Sequence, residues 1–93
     1  MNKEEFKAKA NQRIDEISAK INELKAKRES VKQDVKYKYE ESIKDLESKK
    51  ADLLSKYNDL INAKDEKWEE VKNVFSSAAD SFKDGFSKIS SLF

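Results

Sequence analysis

The chain has 93 residues, 37% hydrophobic and 42% charged, with 20 basic against 19 acidic side chains and a net charge of +1. So low an apolar content, against about 45–50% in ordinary globular domains, allows at most one small domain and leaves little surface for a compact core. The even charge balance argues against a nucleic-acid groove, which needs a basic excess to neutralise phosphate, and the absence of cysteine and histidine removes disulfides, thiol chemistry and imidazole ligands.

Proline is absent and there is one glycine, Gly85, so almost every position tolerates a helix. The opening Met1-Asn2-Lys3-Glu4-Glu5-Phe6 lacks the apolar core of a signal peptide, and no run of about 18 apolar residues exists to span a bilayer. A cytoplasmic protein is the expectation.

From Ile14 the apolar residues fall on one stripe: Ile17, Ile21, Leu24, Val31 and Val35, with Arg28 filling one slot. Steps of three and four are the heptad pattern of a coiled coil. Between Val35 and Leu46 the steps become four, four, three through Tyr39 and Ile43, an interval that relaxes the left-handed supercoil. Heptads resume through Lys50, Leu53, Tyr57 and Leu60, and a second such interval leads through Lys64 and Trp68 to Val71. Acid-to-base pairs four residues apart support the helix outside the stripe: Glu5/Lys9, Glu16/Lys20, Glu23/Lys27, Asp34/Lys38, Glu40/Lys44, Asp45/Lys49 and Asp52/Lys56. Each is worth roughly 0.2–0.5 kcal/mol.

Composition changes near residue 70. Residues 1–70 hold 17 basic and 17 acidic side chains, whereas 71–93 hold three lysines, two aspartates, six serines and four of the five phenylalanines. The apolar face widens there to Val71, Val74, Phe75, Ala78, Ala79, Phe82, Phe86, Ile89 and Phe93, with Trp68 at the junction. This predicts an amphipathic helix that either completes a core or lies on a lipid surface. Asp84-Gly85-Phe86 reads as the end of that helix, with Gly85 in a left-handed cap.

Candidate turns are Ser30-x-x-Gln33, which matches a capping box, and Asn62 to Asp65. Both fit a helix interior as well. The expected architecture is all-α: a charged coiled-coil helix over 1–64 that pairs with another copy, then an amphipathic segment over 65–93. The alternative is a three-helix bundle, which would ask for a wider apolar face than residues 14–60 offer.

Catalytic chemistry finds no footing. Carboxylate catalysis needs two acids in different environments, whereas the acidic pairs Glu4-Glu5, Asp15-Glu16, Glu40-Glu41, Asp65-Glu66 and Glu69-Glu70 diverge by about 100° on a helix and mostly face water. No glycine-rich loop cradles phosphate, no histidine completes a helical di-metal site, and no cofactor is expected. Lys36-Tyr37-Lys38-Tyr39 interleaves base and aromatic, but the stripe uses Tyr39.

Tyr39-Glu40-Glu41-Ser42-Ile43-Lys44-Asp45-Leu46, then Asn62-Ala63 leading to Lys67-Trp68-Glu69-Glu70-Val71-Lys72 and a tail ending in phenylalanine, resembles small bacterial coiled-coil proteins of the stress-response type. The tail is also similar to the amphipathic helices of apolipoproteins and granule-coating proteins. The resemblance implies a cytoplasmic helical protein without catalytic residues. The stripe itself points to a homo-oligomeric structural or interaction protein. Alternatives are a peripheral binder of a lipid or granule surface through residues 71–93, and a scaffold or inhibitor laid on a larger protein.

Overall fold

Asn2 starts the first helix. Its Oδ1 accepts from the Glu5 backbone N–H at 2.8 Å while its Nδ2 donates to the Glu5 carboxylate, so residue and partner close the first turn reciprocally. In this computed structural model, which describes residues 2–90 and side chains as far as Lys88, helix α1 spans Lys3–Arg28, α2 spans Gln33–Ile61, and a single 3₁₀ turn at Asp65–Lys67 leads into α3, Trp68–Ser90. Acids in the first turn of α1 and Lys25, Lys27 and Arg28 in its last turn complement the helix dipole.

The three helices run up, down and up in a rod of 51 × 18 × 17 Å. The fold is all-α, and it is the three-helix bundle rather than one uninterrupted helix. Residues 29–32 turn the chain back, so the coiled-coil helix expected over 1–64 is two antiparallel helices. Ser30 does not open α2 as a capping box would. Its hydroxyl donates to the Lys27 carbonyl at 2.9 Å and closes α1 instead, while Lys32, at φ −65° and ψ 155°, caps α2 without a side-chain hydrogen bond. At the second connection the Asn62 side-chain amide donates to the Asn58 carbonyl at 2.9 Å and ends α2.

One core runs the length of the rod. It takes Ala10, Ile14, Ile17, Ile21 and Leu24 from α1, Tyr39, Ile43, Leu46, Leu53 and Leu60 from α2, and Trp68, Phe75, Ala79 and Phe82 from α3. Among the described residues no polar or charged side chain is buried. The stripes on α1 and α2 are as narrow as the sequence implies. They suffice because α3 brings its broad face and its largest rings between them: Phe6 meets Trp68 edge to face at 5.8 Å and Phe75 at 6.2 Å, and Tyr57 meets Phe75 at 6.4 Å. Ring volume does what a third apolar residue per heptad would otherwise do.

Helix α3 continues through Gly85, whose φ is not positive, so the expected helix end there does not form. Phe86 stays on the stripe and stacks on Phe82 at 6.5 Å.

Candidate interaction surfaces

The residues expected to form an oligomer seam are distributed through the bundle. Ile14, Ile17, Ile21, Leu24, Ile43, Leu46, Leu53 and Leu60 are buried within the single chain, and Val31 and Val35 pack half-buried against them. Of the tail residues, Trp68, Phe75 and Phe82 are buried and Val71 and Phe86 are half-buried against the core; the Ile89 side chain and Phe93 lie outside the described residues. Seam and tail are thus two parts of one interior. The polar residues in the stripe divide: Arg28 is half-buried beside Glu29 at 3.1 Å, Lys50 is half-buried, and Lys64 is exposed in the second connection.

What remains outside is charge, and the bundle sorts it by groove. Between α1 and α3, Arg13, Lys20 and Lys83 rim a cleft floored by Ile17, Ala79 and Phe82, with Glu16 as the one acid among the lining residues. Among the described residues no carboxylate lies within ion-pair distance of those three cations; the Lys20 ammonium lies 5.0 Å from the Phe86 ring instead. Further down the same seam Lys3 and Lys7 face Trp68 at 5.6 and 5.9 Å and Lys72 faces Phe6 at 6.0 Å. There the charge is balanced, because Lys3 pairs with Asp65, Lys7 with Glu4 and Lys72 with Glu69.

Between α2 and α3 the sign reverses. Glu41, Asp45, Asp80 and Asp84 line an open cleft with Ser42, Ser77 and Ser81, against Lys49 and Lys88. Lys49 is committed to Asp45 at 2.7 Å. At the upper end Tyr37, 63% exposed, donates its hydroxyl to Glu41 at 3.0 Å. That hydrogen bond, and the repulsion a phenolate would feel from the Glu41 carboxylate, raise the Tyr37 ionisation above its ordinary value.

Three of the seven expected i,i+4 pairs form: Glu23/Lys27, Asp45/Lys49 and Asp52/Lys56. Other carboxylates are diverted to partners that the sequence spacing hides. Lys25 crosses from α1 to Glu47 on α2 at 2.6 Å, and Lys36 reaches back to Glu29 at 3.6 Å. Asp34 accepts from the Val35 backbone rather than from Lys38. All five acidic pairs named above are exposed, and among the described residues no cluster of three possible metal ligands forms. No described helix is long and apolar enough to cross a membrane. No protein-family model, curated protein or solved structure matches the chain.

Proposed function

We propose that this chain is a non-catalytic association module, cytoplasmic and of the kind its bacterial stress-protein resemblance implies, that binds a second copy of itself through grooves of opposite charge. The observation that carries the reading is the sorting of charge on a nearly neutral molecule. Arg13, Lys20 and Lys83 flank one groove, and Glu41, Asp80 and Asp84 line another. A basic groove set against the acidic groove of the next copy is a heterologous contact, which builds a ring where its rotation closes and an open chain where it does not. It adds long-range attraction over about 8–10 Å at moderate salt and little buried apolar area, so the association is weak and fast. The exposed acidic pairs fit the non-catalytic part, because carboxylate catalysis needs two acids in different environments and both members of each pair face water.

Light scattering tests this. The mass should rise above the 10.8 kDa of one chain with concentration at low salt and fall back at high salt. Reversing two charges with Lys20→Glu and Lys83→Glu should abolish the rise while native helicity is kept, with a small fall in melting temperature from the lost Lys20–Phe86 contact. A mass that stays at one chain at every concentration and salt defeats the proposal.

A second reading, a peripheral lipid binder, is favoured by α3 itself, whose apolar face lies opposite the exposed serines Ser77, Ser81 and Ser87. In the closed bundle that face is core, so a membrane would have to draw α3 out of it. Phe82→Ser separates the two roles. If Phe82 serves only as core, the variant melts earlier and neither protein binds small, highly curved vesicles; binding by the native chain that the variant loses supports the lipid role.

A further inference from the structure

The turn between α1 and α2 contains nothing that forbids a helix. Glu29, Ser30, Val31 and Lys32 include neither glycine nor proline, no residue there has positive φ, and Glu29 already sits in the helical region at φ −71° and ψ −19°. The reversal is held by few bonds. Glu29 and Ser30 donate their backbone N–H groups to Ala26 and Lys27 at 3.3 and 3.0 Å, the Ser30 hydroxyl joins at Lys27, the exposed Glu29 carboxylate meets Lys36 across the turn at 3.6 Å, and α2 begins without a side-chain cap.

The stripe also keeps its phase through the turn. Leu24, Arg28, Val31 and Val35 follow one another by four, three and four residues, as they would on one continuous helix. A connection selected only as a hairpin has no reason to preserve that register. The second connection is fastened differently: Asn62 bonds back to Asn58, Lys3 pairs with Asp65, and Trp68 is buried immediately after it. The weak joint of the bundle is therefore residues 29–32, and the element it releases is α1.

We infer that two copies of this chain exchange α1. Residues 29–32 straighten, α1 and α2 merge into a helix about 90 Å long, and each α1 stripe packs on the α2 and α3 of the other chain. The contacts are those of the monomer. Ile14, Ile17 and Ile21 meet the same neighbours, now supplied by the second copy, as in domain swapping generally. The balance between the states rests on the joint and on the freedom lost when two bodies become one. Closure within a chain corresponds to an effective concentration of about millimolar, so the monomer dominates in dilute solution and the exchanged dimer appears near or above that. Interconversion is slow, because α1 has to leave the core. This exchange is independent of the groove pairing proposed above, which is fast and sensitive to salt.

Gln33→Pro tests it. Gln33 is the first residue of α2, a position whose N–H has no intrahelical acceptor, and Lys32 before it already holds the extended backbone a following proline requires. The substitution leaves the hairpin intact. In the merged helix it lies mid-helix in both chains, which lowers the dimer population roughly ten-thousandfold. The full-length protein is refolded from denaturant at millimolar and at micromolar concentration, then diluted and sized. A covalent record comes from Lys25→Cys with Glu47→Cys, placed on the α1–α2 ion pair of a chain with no native cysteine and joined by a short bismaleimide.

The expected result is a dimer from concentrated refolding that persists on dilution, ignores salt and gives a two-chain band on a denaturing gel. Gln33→Pro yields only monomer with native helicity. Should Gln33→Pro fail to fold, Ser30→Ala decides in the other direction: it removes the hydroxyl bond to Lys27, and the dimer fraction rises several-fold. Only monomer from concentrated wild type, an equal dimer from folded Gln33→Pro, no rise with Ser30→Ala, or a dimer cross-linked only within chains each overturns the exchange. The last of these, if fast and salt-sensitive, is groove pairing alone.

Discussion

Gly85 gives the most direct test of the packing of α3. It lies inside the helix, where glycine costs about 0.5–1 kcal/mol relative to alanine. A methyl group at that position would sit 3.6 Å from Leu46 Cδ2, an ordinary contact, and 3.0 Å from the Lys49 ammonium, which is too close. The ammonium ends a flexible four-carbon stem whose side chain is 32% exposed, so it can swing outward. The move weakens at most its ion pair with Asp45, an i,i+4 pair worth roughly 0.2–0.5 kcal/mol. The helix gain exceeds that loss, and Gly85→Ala should stabilise the protein by a few tenths to about 0.8 kcal/mol. At about 4–8 °C per kcal/mol for a domain of this size, the melting temperature rises by about 1–6 °C. Thermal circular dichroism measures it, and repeating the substitution with Lys49→Ala, which removes the crowded group, should give a larger increment. A fall in melting temperature in both backgrounds would refute a helix continuous through Gly85 and restore a chain reversal there.

Trp68→Ala should cost about 3–5 kcal/mol, because the ring is 8% exposed and packed against Phe6; native fluorescence should be blue-shifted and poorly quenched, and a red-shifted, readily quenched emission contradicts the burial. Ile21→Asp places an unpaired charge at a position 3% exposed, a penalty of several kcal/mol that consumes much of a small domain's stability, so helicity should be largely lost; near-native melting would be the contrary result. Tyr37 should ionise above the ordinary tyrosine value of 10.0, and Glu41→Gln should bring it down. Because the folded value is the raised one, the linked stability is fully present below pH 10 and lost as pH rises through the folded value; an ultraviolet titration unchanged by Glu41→Gln removes the Tyr37–Glu41 bond.

The interior was legible in the sequence because burial imposes the same period whatever covers the stripe. Spacing alone marks the apolar core positions from Ile14 to Leu60 and from Trp68 to Phe82, but not Ala10, which is buried ahead of the stripe, and it also takes in Lys64, which is exposed. The turns were less legible. Ser30 matches the start of a helix but donates to Lys27 and ends one, since a hydroxyl serves a carbonyl behind it as readily as an amide ahead. Asp84-Gly85-Phe86 matches a helix end, yet the gain from keeping Phe86 on the stripe beside Phe82 outweighs one glycine. The opposed grooves could not be seen beforehand at all. Arg13 and Lys83 lie far apart in the chain and become neighbours only when α1 and α3 run parallel.

A stripe that specifies burial without specifying the partner leaves the choice between chains to concentration and to the joint. Within one molecule α2 and α3 stand beside α1 at an effective concentration near millimolar, far above that of a second copy in dilute solution. That advantage does not depend on apolar width, which is why narrow stripes on α1 and α2 close on themselves once Trp68, Phe75 and Phe82 fill the space between them. The same reasoning locates where the choice can be changed. A substitution in the core weakens the closed and the exchanged forms alike, because both use the same contacts. Only residues 29–32, whose conformation differs between them, and Gln33, whose N–H gains a helical acceptor when α1 and α2 merge, can shift the ratio without altering the stability of the interior.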